Sequence, residues 1–468
     1  MQCRMRKTKI LATLGPASVD EATLSALLRA GVDAVRLNFS HGTPDAHRLV
    51  AARVREVSVK LGKAVAILGD LCGPKIRVGT FAEGPIELAA GQRFMLTHEP
   101  VPGDGARVSM SHPLADDLRV GDILLLDDGL LRLRVERVLA PEVTCVVESG
   151  GPLSDKKGIN VPGVALSVPS FTEKDAADAA LARELGVDYL AMSFVRTGDD
   201  VRRCKAAAGD IPVIAKLEKP EAVENLDDII AESAGVMVAR GDMGVELGTE
   251  KVPLIQKETI ARVNAVGKLV ITATQMLDSM IRHPRPTRAE ASDVANAVLD
   301  GTDVLMLSGE TAIGKYPVET VQVMDSIVRE IEASALYRAL PEPPAFGADW
   351  HFHNVTARAA ALASRAIALR CVVIATRDGR TANVLADYRP RCPLVAVVPT
   401  ERVAQALALQ WGVVPVVHDV AGLSQRELLD VADGAAKARC NAQVGDAIAV
   451  LIGSQSGEGR QLILRQVK

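Results

Sequence analysis

PVIAKLE (212–218) and GVMVARGDMG (235–244) are short apolar runs that end abruptly in charged residues or glycine. Runs this short and this rich in Val, Ile and Met suit strands buried on both faces of a parallel sheet. Working outward, the same pattern recurs at Lys9–Leu14, Ala34–Phe39, Ala64–Leu68 (the segment ending at Asp70), Tyr189–Phe194, Lys268–Ala273 and Asp303–Leu307. With Pro212–Leu217 and Gly235–Ala239 that makes eight predicted strands. Helical stretches at Glu21–Ala30, Asp45–Leu61, Glu173–Leu185, Pro253–Val266 and Arg288–Leu299 alternate with them. Eight β/α units predict a (β/α)₈ TIM barrel, whose active site lies at the C-terminal ends of the strands. An open doubly wound sheet is the structural alternative.

One interval breaks the repeat. Between Asp70 and Tyr189 the chain alternates with period two at Arg93–Thr97, Ile123–Leu126, Leu131–Val138 and Val143–Glu148, as half-buried strands do. Asp127-Asp128-Gly129 between two of these is a hairpin signal. The reading is a small β-barrel lid inserted into a βα loop on the catalytic face. After residue 340 the composition changes: Pro341-Glu342-Pro343-Pro344 and Gly347 mark a linker. An Ala-rich helix at Thr356–Ala368 follows, then strands at Cys371–Ala375, Leu394–Val398, Val413–Val417 and Ala447–Ile452, the last of them a candidate antiparallel strand. The predicted domains are a barrel over 1–73 and 170–338, a lid over 74–169 and a C-terminal α/β effector domain over 345–468.

Composition bounds the function. With 48% hydrophobic and 24% charged residues, the 468-residue chain can build several globular cores. A formal net charge of −4 argues against a basic nucleic-acid surface. Seven scattered cysteines without a CxxC pair read as reduced thiols, not as disulfides or a zinc site. No apolar run approaches the roughly 18 residues of a membrane span. The basic start of the chain imitates a signal peptide, but its apolar stretch is closed early by Gly15-Pro16. The expectation is a cytoplasmic protein with neither nucleic acid nor membrane as partner.

The chemistry sits at the strand ends. Side chains alternate along a strand, so Lys216 and Glu218 share a face at the barrel mouth. Taken alone the pair reads equally well as a salt bridge that plugs the barrel. Asp242, at the tip of the next strand beside Gly241 and Gly244, adds a second carboxylate and an approachable backbone. Glu218 and Asp242 together suit Mg²⁺. Arg36, Asn38 and Ser40 share a face on the second strand, where an arginine is a bidentate clamp for phosphate or carboxylate. Thr272 and Thr274 are read as sharing a face of the seventh strand, with Thr274 nearest the mouth. A lysine, an arginine, two carboxylates and a threonine on one rim fit phosphoryl transfer, in which positioning and charge neutralisation do most of the catalysis. No P-loop motif is present.

Read together, TKILATLGPAS (8–18), AVRLNFSHG (34–42), GDLCGPKIR (69–77), KKGINVPG (156–163), VIAKLEKPEAVENLDDII (213–230), VARGDMGVE (238–246), ITATQMLDSM (271–280) and LSGETAIGKYP (307–317) resemble the pyruvate kinase family. The resemblance implies a glycolytic enzyme that moves the phosphoryl group of phosphoenolpyruvate to ADP, giving pyruvate and ATP. It implies that Lys216 stabilises the transferring group and that Arg36 holds the substrate phosphate. By the same resemblance Gly241, Asp242 and Thr274 cradle phosphoenolpyruvate, and Glu218 and Asp242 bind Mg²⁺, with Mn²⁺ an alternative. Arg77 and Lys157 become nucleotide-phosphate contacts, and the assembly becomes an allosteric homotetramer. Many members hold K⁺ near Asn38, Ser40, Asp70 and Leu71 and carry GPEIR; this chain has GPKIR, and Lys75 is expected to replace the K⁺. Thr376-Arg377-Asp378-Gly379-Arg380-Thr381 resembles the family's effector phosphate loop, with Ser454–Arg460 as its flap. A phosphorylated effector is expected there, although Asp378 stands where serine is usual and would repel a phosphate. The competing functional readings are another metal-dependent phosphoenolpyruvate or pyruvate barrel enzyme (an aldolase or lyase) and a non-catalytic metabolite sensor.

Overall fold

A computed structural model describes residues 5–342, 352–453 and 459–468. The eight predicted runs form β1 (Lys9–Thr13), β2 (Ala34–Asn38), β3 (Ala66–Asp70), β4 (Tyr189–Met192), β5 (Val213–Leu217), β6 (Gly235–Ala239), β7 (Leu269–Ala273) and β8 (Val304–Leu307). They pair in parallel, each with its sequence neighbours, and β8 closes on β1 to complete the barrel. The doubly wound alternative is thereby excluded. Strand ends differ from the sequence reading by one or two residues, where hydrogen-bonded pairing overrides the apolar pattern.

Parity along the strands sorts the side chains into two cores. Leu11, Ala34, Ala66, Leu68, Ala191, Ile214, Met237, Ile271 and Met306 fill the barrel interior. Residues of opposite parity, such as Val35, Ile67, Val213, Val236 and Val270, pack against the surrounding helices. Local signals start and stop those helices. In Glu173–Leu185, Thr172 and Asp175 form a capping box and Gly186 ends the helix in the left-handed conformation. Asp175 also accepts a hydrogen bond from Gly73 N (2.9 Å), tying down the chain where it leaves the barrel for the lid.

The lid has its own core around Phe94, Leu96, Leu124, Leu133 and Val143. Its strands Ile123–Leu126 and Leu131–Leu139 are antiparallel, and Asp127 (φ 52°), Asp128 (φ 54°) and Gly129 (φ 89°) make the expected hairpin turn. In the C-terminal part, strands Val372–Ala375, Leu394–Val398, Val413–Val417 and Ala447–Gly453 are all parallel. The candidate antiparallel strand at Ala447–Ile452 is therefore a correction. The antiparallel strand is an additional one, Arg460–Gln466, an edge strand with only partly buried side chains that pairs with Ala447–Gly453. The Ala-rich helix also begins earlier than expected, at Phe352. The linker from Pro343 through Gly347 and most of the flap, 454–458, lie outside the described residues.

The C-terminal part closes the end of the barrel opposite the mouth. Ala408 and Leu409 join the barrel's interior core, and Leu409 is fully buried. Around them Lys9 Nζ donates to Val413 O (2.7 Å), Tyr189 Oη donates to Ala406 O (2.8 Å), and Arg389 pairs with Asp303 (2.7 Å). Leu409→Ala is expected to destabilise the protein by about 3 kcal/mol through the cavity it leaves. An unchanged urea midpoint would show that the plug is not part of the barrel core.

Candidate active site

Barrel parity brings Thr13, Arg36, Asp70, Ser193, Lys216 and Glu218 to the mouth from five adjacent strands and their ends. Asp70 is fully buried at the end of β3. Its Oδ2 accepts from Arg36 Nε at 2.6 Å, and Lys216 Nζ stands 3.3 Å from Oδ1, close enough for charge but without hydrogen-bond geometry. Burial alone would raise the Asp70 pKa; the Lys216 and Arg36 charges outweigh it and hold the carboxyl below its ordinary value. Arg36 Nη1 also donates to Thr13 Oγ1 (3.2 Å), so the guanidinium is fixed on two sides.

Lys216 donates to Ser193 Oγ (2.6 Å) and lies 3.0 Å from Glu218 Oε1. Burial works against its ammonium, but the Asp70 and Glu218 carboxylates prevail and keep the pKa above the ordinary lysine value. Ser193 passes its own hydrogen on to Leu71 O (2.8 Å). Glu218 is nearly fully buried and accepts from Phe194 N (2.7 Å) through Oε2. Burial raises its pKa; Lys216 opposes the rise and the Asp242 charge adds to it. A buried carboxylate with a second carboxylate charge acting on it suits a hard cation, which would relieve that repulsion. Among the described residues no three His, Cys, Asp or Glu side chains gather as a protein-only metal cage.

Asp242 lies in the first turn of the helix Arg240–Leu247 that follows β6, and its Oδ1 is 3.2 Å from Lys75 Nζ. Lys75 thus meets Asp242. Asn38 and Ser40 form a separate turn in which Asn38 Oδ1 accepts from Ser40 N (3.1 Å), with Asn38 in register with Asp70. The Leu71 side chain is buried in the core, so only its backbone faces this region.

Thr274 requires a correction. β7 ends at Ala273, and Thr272 points outward to hydrogen-bond Thr302 (2.9 Å). Strict alternation would send Thr274 outward too. Instead the chain turns at Thr274 (φ 75°) and Gln275 (φ 53°), held by Arg240 Nη2 donating to Thr274 O (2.7 Å). The turn sets Thr274 against Gly241, where a Cβ would come within 2.7 Å of Thr274 Cγ2. Glycine is the residue that permits this contact.

Two family profiles match the chain: the pyruvate kinase barrel domain over residues 5–321 and the pyruvate kinase alpha/beta domain over 354–464. The chain belongs to the pyruvate kinase family. Among curated relatives, pyruvate kinase of Sporosarcina psychrophila is 42% identical over 462 residues, 97% of this chain and 79% of the relative. That of Geobacillus stearothermophilus is 43% identical over 465 residues, 97% of this chain and 78% of the relative. The Clostridium acetobutylicum enzyme is 42% identical over 456 residues, 96% of both chains.

Most of the remaining residues read from the sequence have partners of their own. Arg77 donates to Lys156 O (3.0 Å), and Lys157 pairs with Asp127 of the hairpin (2.8 Å), so both are held by lid partners. In the C-terminal part, Thr376 Oγ1 accepts from Gly379 N (3.1 Å), and Arg377 is exposed. Asp378 accepts from Arg380 N (3.1 Å) and from Arg380 Nε (2.5 Å). Thr381 Oγ1 accepts from Arg460 (2.6 Å). Asp378 therefore engages Arg380, one of the residues of the loop that resembles an effector phosphate site.

Sequence reasoning missed Ser193 and Thr13 as members of the cluster, although the parity of β4 and β1 carries the signal. Gly241→Ala is expected to displace Thr274 and lower turnover at least about tenfold while the protein stays folded. Steady-state kinetics beside a melting curve check it; wild-type turnover would remove the need for glycine.

Proposed function

We propose that this chain catalyses phosphoryl transfer from phosphoenolpyruvate to ADP, giving pyruvate and ATP, as a cytoplasmic glycolytic enzyme. The observation that carries the reading is the buried Arg36–Asp70–Lys216–Glu218 cluster at the barrel mouth, with Asp242 beside it. Two preorganised cations in a site shielded from water favour a phosphoryl group whose charge spreads over its equatorial oxygens. The full-length match to the family, lid included, favours this over an aldolase or lyase and over a non-catalytic sensor.

Arg36 and Lys216 hold the phosphoryl group of phosphoenolpyruvate, with Gly241, Asp242 and Thr274 around the rest of the molecule. A β-phosphate oxygen of ADP forms the new P–O bond as the bond to the enol oxygen breaks, and that electron pair leaves on the enolate. Lys216 stays protonated throughout, since its carboxylate neighbours hold its pKa up. The enolate carbon then takes a proton, delivered through water near Thr274. Arg77 and Lys157 on the lid hold the nucleotide phosphates. Glu218 and Asp242 would hold Mg²⁺ (or Mn²⁺), which supplies Lewis-acid neutralisation of charge on the phosphate and enolate oxygens.

Lys75 beside Asp242 supports activity without K⁺, because its ammonium brings a positive charge to the rim. The loop 376–381 supports a phosphorylated effector only if that ligand displaces the Asp378 carboxylate. Membership of the family supports assembly as a homotetramer.

A lactate dehydrogenase-coupled assay with phosphoenolpyruvate, ADP and Mg²⁺ tests the function. Turnover is expected, and Lys216→Met is expected to lower it by at least about 10³-fold; a variant as active as wild type would end the assignment. In K⁺-free buffer with a tetraalkylammonium salt, activity is expected to stay near its K⁺ value; a fall to a few percent would sink the Lys75 reading. Asp378→Ser is expected to tighten activation by a sugar phosphate by about tenfold, since it removes an internal anion. An unchanged half-activation concentration would show that Asp378 does not guard the loop.

A further inference from the structure

The helix Arg240–Leu247 carries Asp242 in its first turn and Glu246 one turn later, on the same side. The Glu246 side chain is 1% exposed, which is extreme for a carboxylate next to a domain cleft. Both hydrogen bonds to it end on Oε1. Lys219 Nζ donates from the barrel at 2.7 Å, directly after Glu218, and Asn160 Nδ2 donates from the lid at 2.9 Å. Asn160 is itself 5% exposed and lies on the short strand Ile159–Asn160, paired with Leu125 and Leu126 beside the Asp127–Gly129 hairpin.

The lid is held at both ends of its insertion. At the exit Gly73 N donates to Asp175; at the return Arg196 donates to Ser170 Oγ (2.9 Å), Leu166 O (2.8 Å) and Val168 O (3.0 Å). Between these hinges the lid meets one helix at three successive places. Lys75 reaches Asp242, a Cβ at Gly129 would lie 3.9 Å from Val245, and Asn160 reaches Glu246. Of the three, only the Asn160–Glu246 contact is a buried hydrogen bond to a charge. Such a bond is strong while the cleft is closed and is replaced by water when it opens, so it acts selectively on the closed state.

We infer that Glu246 is the positioning residue that latches the lid onto the helix bearing Asp242, and thereby fixes how Arg77 and Lys157 meet the barrel mouth. The inference rests on the phosphoryl-transfer reading for its kinetic consequence but not for the latch itself. Glu246 touches no reacting atom. Its effect falls on the nucleotide, which binds through lid residues, and not on phosphoenolpyruvate, which binds through the barrel.

The test uses the full chain with Asn160→Asp, which sets a carboxylate against Glu246, and the double variant Asn160→Asp/Glu246→Gln, in which the amide donates back across the cleft. Asn160→Asp is expected to raise the KM for ADP about tenfold, with kcat and the KM for phosphoenolpyruvate within about twofold. Amide hydrogen exchange over 241–247 and 159–161 is expected to quicken in the same variant. The double variant is expected to recover both. An unchanged exchange rate and ADP KM in Asn160→Asp would overturn the latch, and so would a double variant no better than the single one. If wild type transfers no phosphoryl group, the functional reading fails, and the exchange comparison alone still decides whether Asn160 and Glu246 hold the lid.

Discussion

The geometry of the mouth depends on a single buried carboxylate. Asp70 is fully shielded from water and faces both Arg36 and Lys216. Two cations brought together at a barrel mouth repel one another, and each would otherwise turn toward solvent. Asp70 offsets that repulsion and fixes both directions, leaving Lys216 between Asp70, Ser193 and Glu218. The arrangement is costly to bury and is retained only because every member has a partner. A phosphoryl group arriving there meets cations that need no reorganisation, which is the larger part of what such a site contributes.

Most of the architecture was legible in the sequence because it follows from periodicity. Eight apolar runs separated by helical stretches specify the barrel, and period-two segments around Asp127-Asp128-Gly129 specify the lid. Alternation also placed Lys216 with Glu218 and Arg36 at the mouth. It misled at Thr274, since a positive φ after Ala273 cannot be read from Thr-Ala-Thr-Gln, and that turn is what carries the side chain to Gly241. Arg460–Gln466 was missed because an edge strand with partly exposed side chains carries no clean pattern. Asp70 was read as part of a cation region; its pairing with two strands at once exists only when the barrel closes.

The other domains act on this centre through particular contacts. The helix Arg240–Leu247 presents Asp242 to the mouth and Val245 and Glu246 to the lid, so lid position and one carboxylate of the pair share one rigid element. At the opposite end Leu409 and Ala408 complete the barrel core, and Arg389 links the C-terminal part to Asp303 at the start of β8. A ligand at the 376–381 loop would therefore act on a part that is packed into the barrel floor, with Asp378 already engaging Arg380.

The most direct test of the account is kcat/KM for phosphoenolpyruvate in Asp70→Asn, which keeps the side chain's shape and removes its charge. If Asp70 holds Arg36 and Lys216 in place, kcat/KM falls by at least about 100-fold, equivalent to about 2.7 kcal/mol of transition-state stabilisation. A folded Asp70→Asn enzyme within about threefold of wild type would contradict the account, since Arg36 and Lys216 would then hold their positions without it.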